Sequence, residues 1–340
     1  MSNKQYKIWI DILKGVCMIC VYLCHSEGYY DARENLGYIA KPFYVNAFFF
    51  VSGYLFFGKW LNVNMLNRGG YLLALKNMLY RLVIPTILFS TIIYVPKILF
   101  HNMGLTMADY FIDVFMGISY WFTSALAVAQ LLLLIAIFVI KRKTILTYLL
   151  ISLMFFVFGF TLNMMRTGNE ARDFLPWFYK TGMEYTIVMA AGGVYQQYEH
   201  TIDKVIRRFW MLPFLTFIGL LLWAWIEGYK LKMIGLGGQI NTIGLMTLVC
   251  GIVVVTTLSK RIKATAWLTW IGRNSIVFYF FSGVFPAMVS AVMLRLCPWK
   301  AYPVALAVTI IAITLGALTT YMVNRFAPFL VDIRKIHDQQ

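Results

Sequence analysis

The first apolar segment carries two residues that could do chemistry within a membrane. Lys14 and His25 are eleven residues apart, so on a helix they share one face, with a rise of about 16.5 Å between them. An ionisable group at membrane depth is costly and usually faces a cavity or a partner. A neutral imidazole can accept a proton or attack a carbonyl carbon. The alternative is an interfacial histidine and a lysine that reaches toward the aqueous surface, with Asp11 neutralising the lysine.

Other polar residues of the apolar segments each have two interpretations. Glu184 either pairs with a buried cation or orients His25 and stabilises its imidazolium form. Tyr120 and Trp121 open an apolar segment, as interfacial anchors do. The same two side chains would also suit stacking on a sugar and donation to its hydroxyl groups.

The composition requires lipid as the main solvent. Of the 340 residues, 61% are hydrophobic and 13% are charged, and the mean hydropathy is +0.72. A soluble domain has about 25% charged residues, so these values exclude a soluble enzyme, a disordered chain and a secreted disulfide scaffold. The net charge of +16 comes from small basic clusters between long apolar runs. Such clusters set membrane topology and argue against nucleic acid as a partner.

The chain is predicted to be an all-α, polytopic membrane helical bundle, with a single domain over residues 1–340. A helix that crosses the bilayer needs about 20 apolar residues. About ten such spans are predicted, at residues 8–27, 38–58, 78–100, 120–140, 144–163, 176–197, 209–226, 233–258, 266–294 and 303–325. The excess of Lys and Arg on one side places the N- and C-termini in the cytoplasm. Residues 105–118 are predicted to form an interfacial helix outside.

The five cysteines are predicted to be packing residues. Cys17 and Cys20 form a C-x2-C pair, but no second pair and no histidine completes a zinc site. A buried cysteine behaves as a small hydrophobic residue. No metal is therefore expected.

Several motifs occur in the order found in a known family. They are Asp11-Ile12-Leu13 with Lys14-x10-His25, residues 48–55 (FFFVSGYL), 81–85 (RLVIP), 120–122 (YWF) and 272–279 (GRNSIVFY). Over nearly its whole length the chain resembles membrane acyltransferase family 3, in the short stand-alone form that includes fucose acetyltransferases and proteins that modify biofilm polysaccharides. It departs from the family at Ser282, where a histidine often follows the tyrosine by three residues. No appended periplasmic esterase-like domain is expected.

The resemblance implies an integral-membrane O-acyltransferase of the bacterial cytoplasmic membrane. Such an enzyme moves an acyl group, most often acetyl, from cytoplasmic acyl-CoA to a hydroxyl of a surface glycan or a lipid-linked saccharide. The expected catalytic residues are His25, Glu184 and Tyr279, the last binding the thioester oxygen. The acceptor is expected to contact Tyr120 and Trp121. The donor is expected to contact Lys14, Ser52, Gly53, Arg81, Arg273, Asn274 and Ser275.

The expected donor site depends on three cations at one depth. Lys14, Arg81 and Arg273 fall in the cytoplasmic halves of their spans, where they could bind the phosphates of CoA. Asp11 is the one carboxylate at that level, so two cations are expected to lack a carboxylate partner until a polyanion binds. Anionic lipid is the competing ligand. Gly53 is expected to let the donor chain pass close to the main chain.

Two other function classes stay open from the sequence. A transporter or flippase for a lipid-linked or polymeric glycan would also use a basic cavity among about ten helices. Transporters often show two related halves, and no such halves are evident in this chain. An accessory subunit for the export of a surface polysaccharide is the other class. Release of a thiol from acetyl-CoA by the purified protein separates an enzyme from both.

Overall fold

Every regular element of the described chain is helical. The computed structural model describes residues 7–29, 36–61, 68–101, 107–141, 144–165, 176–227, 242–263, 265–297 and 302–332, and no strand occurs in those ranges. In lipid the main chain must satisfy its own hydrogen bonds, and a helix does this within one segment. The predicted all-α class is confirmed.

Fifteen α-helices lie in the described ranges. In chain order they are α1 Ile8–Tyr29, α2 Leu36–Ala40, α3 Tyr44–Trp60, α4 Arg68–Met78, α5 Ile84–His101, α6 Met107–Phe115, α7 Trp121–Ile140, α8 Ile145–Met164, α9 Tyr179–Arg208, α10 Met211–Ile226, α11 Thr242–Arg261, α12 Ala266–Arg273, α13 Ser275–Phe281, α14 Val284–Leu296 and α15 Tyr302–Phe326. A π-helical turn at Leu79–Val83 joins α4 to α5.

Several of these helices are long and apolar enough to cross a bilayer. Among the described residues there are six, or up to eight if each of two bent pairs forms one span. The bent pairs are Pro176–Arg208 with α10, at 73°, and α13 with α14, at 44°. The chain is therefore a multi-pass membrane protein. The count of ten spans and the cytoplasmic location of both termini stay predictions.

Five predicted spans correspond to single helices. The spans at 8–27, 120–140, 144–163, 209–226 and 303–325 become α1, α7, α8, α10 and α15, with ends that differ by at most two residues. The predicted interfacial segment contains α6, whose side chains Phe111, Ile112 and Phe115 are exposed. Exposed aromatic and aliphatic groups on a short helix are typical of a helix at the membrane surface.

Two predicted spans are wrong as single helices. The span at 38–58 is divided at Pro42, which lacks an N–H and disfavours helical geometry in the residue before it. The span at 266–294 forms three helices, with breaks at Asn274 and at Ser282–Gly283. At the second break the Ser282 hydroxyl donates to the Tyr279 carbonyl oxygen, 2.8 Å away. The Tyr22 hydroxyl donates to the Phe278 carbonyl oxygen at 3.0 Å, so α1 supports this break.

Two other spans are longer than predicted, and one is only partly described. The third is part of a helical run that begins at Arg68, and the sixth continues as α9 to Arg208 with a kink at Tyr198. Residues 233–241 of the eighth span lie outside the described residues, and the rest lies within α11.

Main-chain proximity divides the chain into two compact units. The first unit contains Met1–Phe48, Asp203–Met233 and Ile240–Phe326. The second contains Phe49–Ile202, Ile234–Gln239 and Ala327–Gln340. A single acyltransferase domain over residues 1–340 stays a prediction.

In the first unit, α1 packs against α11, α12, α13, α14 and α15. Glycines bring α1 and α12 into main-chain contact: a Cβ atom on Gly15 would overlap the Leu268 carbonyl oxygen, and one on Gly272 would overlap the main chain of Asp11. Such close approach requires residues without a side chain. The first unit is therefore built around the helix that carries Lys14 and His25.

In the second unit, α3 and α9 cross with their main chains in contact. A Cβ atom on Gly53 would overlap the Met189 main chain, and one on Gly192 would overlap the Phe50 carbonyl oxygen. Beside this crossing the rings of Phe49 and Tyr185 stack with centroids 3.8 Å apart. The crossing fixes the helix that carries Glu184.

The predicted membrane topology places one loop outside the cell and another in the cytoplasm, so only the first is accessible to an impermeant reagent in intact cells. A cysteine placed at Asn169, which lies outside the described residues, is expected to react with an impermeant maleimide in intact cells. One placed at Lys141, exposed at the end of α7, is expected to react only after permeabilisation, because basic loops face the cytoplasm. The background is a variant with all five native cysteines replaced by serine. Labelling at position 141 in intact cells, with protection at position 169, would show that the topology is the reverse of the predicted one.

Candidate functional site

A buried carboxylate joins two of the predicted donor-binding cations. Asp11 Oδ1 lies 3.1 Å from Lys14 Nζ, and Asp11 Oδ2 lies 3.2 Å from Arg273 Nε. The side chain of Asp11 is 6% exposed, that of Lys14 is 20% exposed and that of Arg273 is 58% exposed. Among the described residues, this one carboxylate contacts both cations. The structure therefore brings Lys14 and Arg273 together on one carboxylate, and their binding of the donor stays a prediction.

The expectation that two cations lack a carboxylate is wrong. Lys14 and Arg273 share Asp11, and Arg81 Nε lies 3.5 Å from Asp332 Oδ2 in the second unit. Arg81 sits in the π-helical turn with its side chain 65% exposed. An exposed ion pair contributes only about 0–1 kcal/mol, so an incoming polyanion can replace it. Neutralisation of these charges does not by itself require a bound polyanion.

His25 lies near the other end of α1. The helix is continuous from Ile8 to Tyr29, so the shared face and the rise of about 16.5 Å between Lys14 and His25 apply. The imidazole is half-buried, and its ring stacks on that of Tyr29 with centroids 6.0 Å apart. Met18 and Val21 lie between Lys14 and His25 on this face and are buried. A donor arm that followed the face would have to displace them.

A second buried carboxylate lies close to His25 in the sequence. Glu27 is fully buried, and its Oε1 accepts from the Tyr302 hydroxyl at 2.8 Å. The Gly37 N–H donates to both carboxylate oxygens, at 3.2 and 3.1 Å. These bonds tie the end of α1 to α2 and α15. Glu27 is not among the predicted site residues, although a carboxylate at the end of an apolar span is a visible signal in the sequence.

Three predicted site residues lie at or just after the break between α12 and α13. Asn274 lies between α12 and α13, where its Nδ2 donates to the Trp270 carbonyl oxygen at 2.9 Å and its Oδ1 accepts from Asn324 at 2.7 Å. These bonds fix the turn that follows Arg273. Ser275 and Tyr279 are half-buried residues of α13. Roles of these three residues toward the donor stay predictions.

Glu184 is fully buried in the second unit and is bonded to an amide. Its Oε1 accepts a hydrogen bond from Asn163 Nδ2 on α8. Its Oε2 is buried and has no hydrogen-bond partner among the described residues. Of the two interpretations of Glu184, the ion pair with a buried cation is not found among the described residues, where Asn163 is the partner instead. Asn163 is not among the predicted site residues, and its signal in the sequence is a single amide near the end of an otherwise apolar span.

The predicted donor contact at Gly53 has a different physical role. The space beside its Cα is filled by the main chain of Met189, so the close approach that glycine permits is made by α9. A donor contact at Gly53 stays a prediction. Ser52 is half-buried on α3, and its role stays a prediction.

The predicted acceptor residues lie at the start of α7. The Tyr120 side chain is buried, and its carbonyl oxygen accepts from the Ser124 N–H at 3.2 Å. Trp121 is half-buried, with its ring 6.4 Å from that of Tyr185. This places Trp121 at the edge of the aromatic stack of Phe49 and Tyr185. Both acceptor contacts stay predictions.

Among the described residues, no group of three or more His, Cys, Asp or Glu side chains could hold a metal ion. Cys17 and Cys20 are free thiols, the first buried and the second half-buried. Both lie on α1, and their role as packing residues stays a prediction. The side chains described above thus offer charge, hydrogen bonds and an imidazole as their chemistry.

Comparison with known proteins identifies the family. Residues 7–322 match the acyltransferase 3 family, described as an acyltransferase domain. No curated protein and no solved structure matches the chain significantly. The matched range contains His25, Glu184 and the cluster of Asp11, Lys14 and Arg273, and it agrees with the resemblance carried by the sequence motifs. The chain belongs to the acyltransferase 3 family and is a multi-pass membrane acyltransferase.

Proposed function

We propose that the protein transfers an acyl group, most often acetyl, from cytoplasmic acyl-CoA to a hydroxyl of an extracytoplasmic glycan or lipid-linked saccharide. The observation that carries the proposal is the layout of α1. In its first turns the buried Asp11 carboxylate contacts the half-buried Lys14 of α1 and the exposed Arg273 of α12. The half-buried His25 imidazole follows eleven residues after Lys14. A cation pair suits the phosphates of CoA, and an imidazole suits the acyl transfer itself.

The proposed reaction is attack of a sugar hydroxyl on the thioester carbonyl carbon. His25 accepts the hydroxyl proton as the oxygen–carbon bond forms, and the carbon–sulfur bond breaks to release CoA. The proton then passes to the leaving thiolate or to water. The other route places the acyl group on the imidazole nitrogen first, with CoA released before the sugar attacks. Tyr279 is proposed to donate a hydrogen bond to the carbonyl oxygen, which gains negative charge in the transition state.

Release of a free thiol tests the proposal against the transporter and the accessory subunit. Purified protein in lipid nanodiscs is incubated with acetyl-CoA and a panel of glycans, and free CoA is measured with a thiol reagent. Acceptor-dependent release is the expected result, with the modified hydroxyl mapped by mass spectrometry. Glycan movement across the membrane of proteoliposomes without thiol release would favour the transporter.

The two exposed arginines give a separate prediction about the donor. Arg273→Ala and Arg81→Ala are each expected to raise the KM for acetyl-CoA about 10-fold and leave the KM for the glycan unchanged, because each removes charge that binds phosphate. Steady-state kinetics with each substrate varied in turn measures both constants. Arg295→Ala, which removes an exposed arginine from the last turn of α14, is the matched control. An unchanged donor KM in both variants would assign these charges to lipid or to structure.

A further inference from the structure

We propose that Asp11 is a positioning residue that holds Lys14 and Arg273 as a preformed two-cation site for a phosphate group of the acyl donor. The inference rests on the proposed function and adds the residue that organises its donor site. The ligand chemistry is a phosphate group, which either acyl-CoA or an anionic lipid head group can supply.

The geometry of the ion pairs carries the inference. Each oxygen of the Asp11 carboxylate faces one cation, Lys14 Nζ at 3.1 Å and Arg273 Nε at 3.2 Å. Because both oxygens belong to one rigid group, the two cationic groups are held side by side. A site that is held in its binding geometry loses less conformational entropy when the ligand arrives.

The two cations are more exposed to the surroundings than the carboxylate that joins them. The Asp11 side chain is 6% exposed, while Lys14 and Arg273 are 20% and 58% exposed. The carboxylate therefore lies behind the cations, with Arg273 as the outermost group. A guanidinium has five N–H donors and an ammonium has three, so each cation can bond a phosphate oxygen while it stays bonded to Asp11. Charge-assisted hydrogen bonds from two cations suit such an anion.

The crossing of α1 and α12 places Arg273 beside Asp11. Gly272 has no side chain, and a Cβ atom there would overlap the main chain of Asp11. Arg273 is the next residue and the last of α12. The Asn274 side chain, bonded to Trp270 and Asn324, then fixes the turn. Without the carboxylate, the same crossing would force two like charges together, and they would repel each other.

Asp11→Asn is the decisive variant, because it keeps the size of the side chain and removes its charge. Acetyl-CoA is compared with S-acetylpantetheine, which carries the same thioester and no phosphate. In Asp11→Asn the ratio of kcat/KM for acetyl-CoA to kcat/KM for S-acetylpantetheine is expected to fall about 10-fold. Structural damage would lower both values together and leave the ratio unchanged, so an unchanged ratio would overturn the inference.

Two further variants complete the design. Asp11→Glu keeps the charge on a longer side chain, so a ratio between those of the wild type and Asp11→Asn is expected. Asp203→Asn breaks another ion pair of the first unit, in which Lys260 Nζ lies 2.6 Å from Asp203 Oδ2 with both side chains about equally exposed. This control is expected to leave the ratio at its wild-type value. If this ratio fell as much in Asp203→Asn as in Asp11→Asn, the effect would not be specific to Asp11, and the inference would be contradicted.

Lipid composition and direct binding separate the remaining outcomes. The comparison is repeated in phosphatidylcholine nanodiscs with and without phosphatidylglycerol. A lipid-binding cluster would change the dependence on phosphatidylglycerol in Asp11→Asn and leave the donor ratio unchanged, which would overturn the inference. Absence of thiol release by the wild-type protein would instead reject the proposed function. In that case the affinity of the wild type and of Asp11→Asn for CoA is measured by calorimetry. About 10-fold weaker binding of CoA by Asp11→Asn than by the wild type supports the two-cation site. Equal affinity of the two proteins, or no binding of CoA by either, overturns it.

Discussion

Replacement of His25 by alanine is expected to lower acyl transfer about 100-fold or more and to leave the protein folded. Loss of a general base typically costs this much, because proton transfer then depends on water. The imidazole is half-buried near the end of α1, and its ring stacks on Tyr29, which is itself 47% exposed. Removal of the ring therefore disturbs little packing. Thiol release from acetyl-CoA under saturating substrates measures the effect.

The matched control for His25→Ala is the replacement of another histidine of this protein. His200 is exposed on α9, and His200→Ala is expected to keep wild-type activity. Thermal unfolding of both variants in detergent shows that the fold survives. A stable and fully active His25→Ala protein would contradict the mechanism.

The two routes through His25 are expected to differ in an exchange experiment. Labelled CoA is incubated with acetyl-CoA and enzyme in the absence of a glycan. If the acyl group passes to the imidazole, the label enters acetyl-CoA, because the first half-reaction is reversible without an acceptor. Direct attack by the sugar gives no exchange. Both routes use His25, so this measurement distinguishes the routes and does not test the need for His25.

Glu184→Gln is expected to lower kcat about 10- to 150-fold. The Glu184 carboxylate is fully buried, with one oxygen held by Asn163 and the other without a partner among the described residues. A buried acceptor of this kind is suited to a proton-bearing group that reaches it during the reaction. A hydrogen bond to a charged group contributes about 1.5–3 kcal/mol, which corresponds to that range of rates. Glutamine keeps the shape of the side chain and removes the negative charge.

Two further variants test whether the effect belongs to the Glu184 carboxylate. Asn163→Leu removes the amide that orients Glu184, so a smaller loss of kcat is expected, with the carboxylate still present. Glu199→Gln is the control on the same helix, since the Glu199 carboxylate accepts from the Tyr54 hydroxyl at 2.6 Å and has no proposed role in the reaction. Wild-type kcat in Glu184→Gln would show that the charge is not used. The expected partnership of Glu184 with His25 stays a prediction.

The sequence alone determined the class of the molecule and much of its helical layout. A chain with 61% hydrophobic residues cannot be covered by water, and bilayer thickness fixes the length of an apolar span. The predicted ends of α1, α7, α8 and α15 are therefore correct within two residues. The spacing of Lys14 and His25 followed from helix geometry, and the ordered motifs indicated the family that the comparison confirms. These properties depend on neighbouring residues along the chain.

Only the tertiary structure decided which groups meet. Arg273 bonds Asp11 across 262 positions, and Glu184 bonds Asn163 on a different helix. Hydropathy measures the length of a span, but it does not show which distant side chain faces a buried charge. The same reason applies to Gly53, which the main chain of Met189 on another helix approaches closely. The partners of buried charges depend on how distant helices cross, and in this protein glycines at the crossings set those positions.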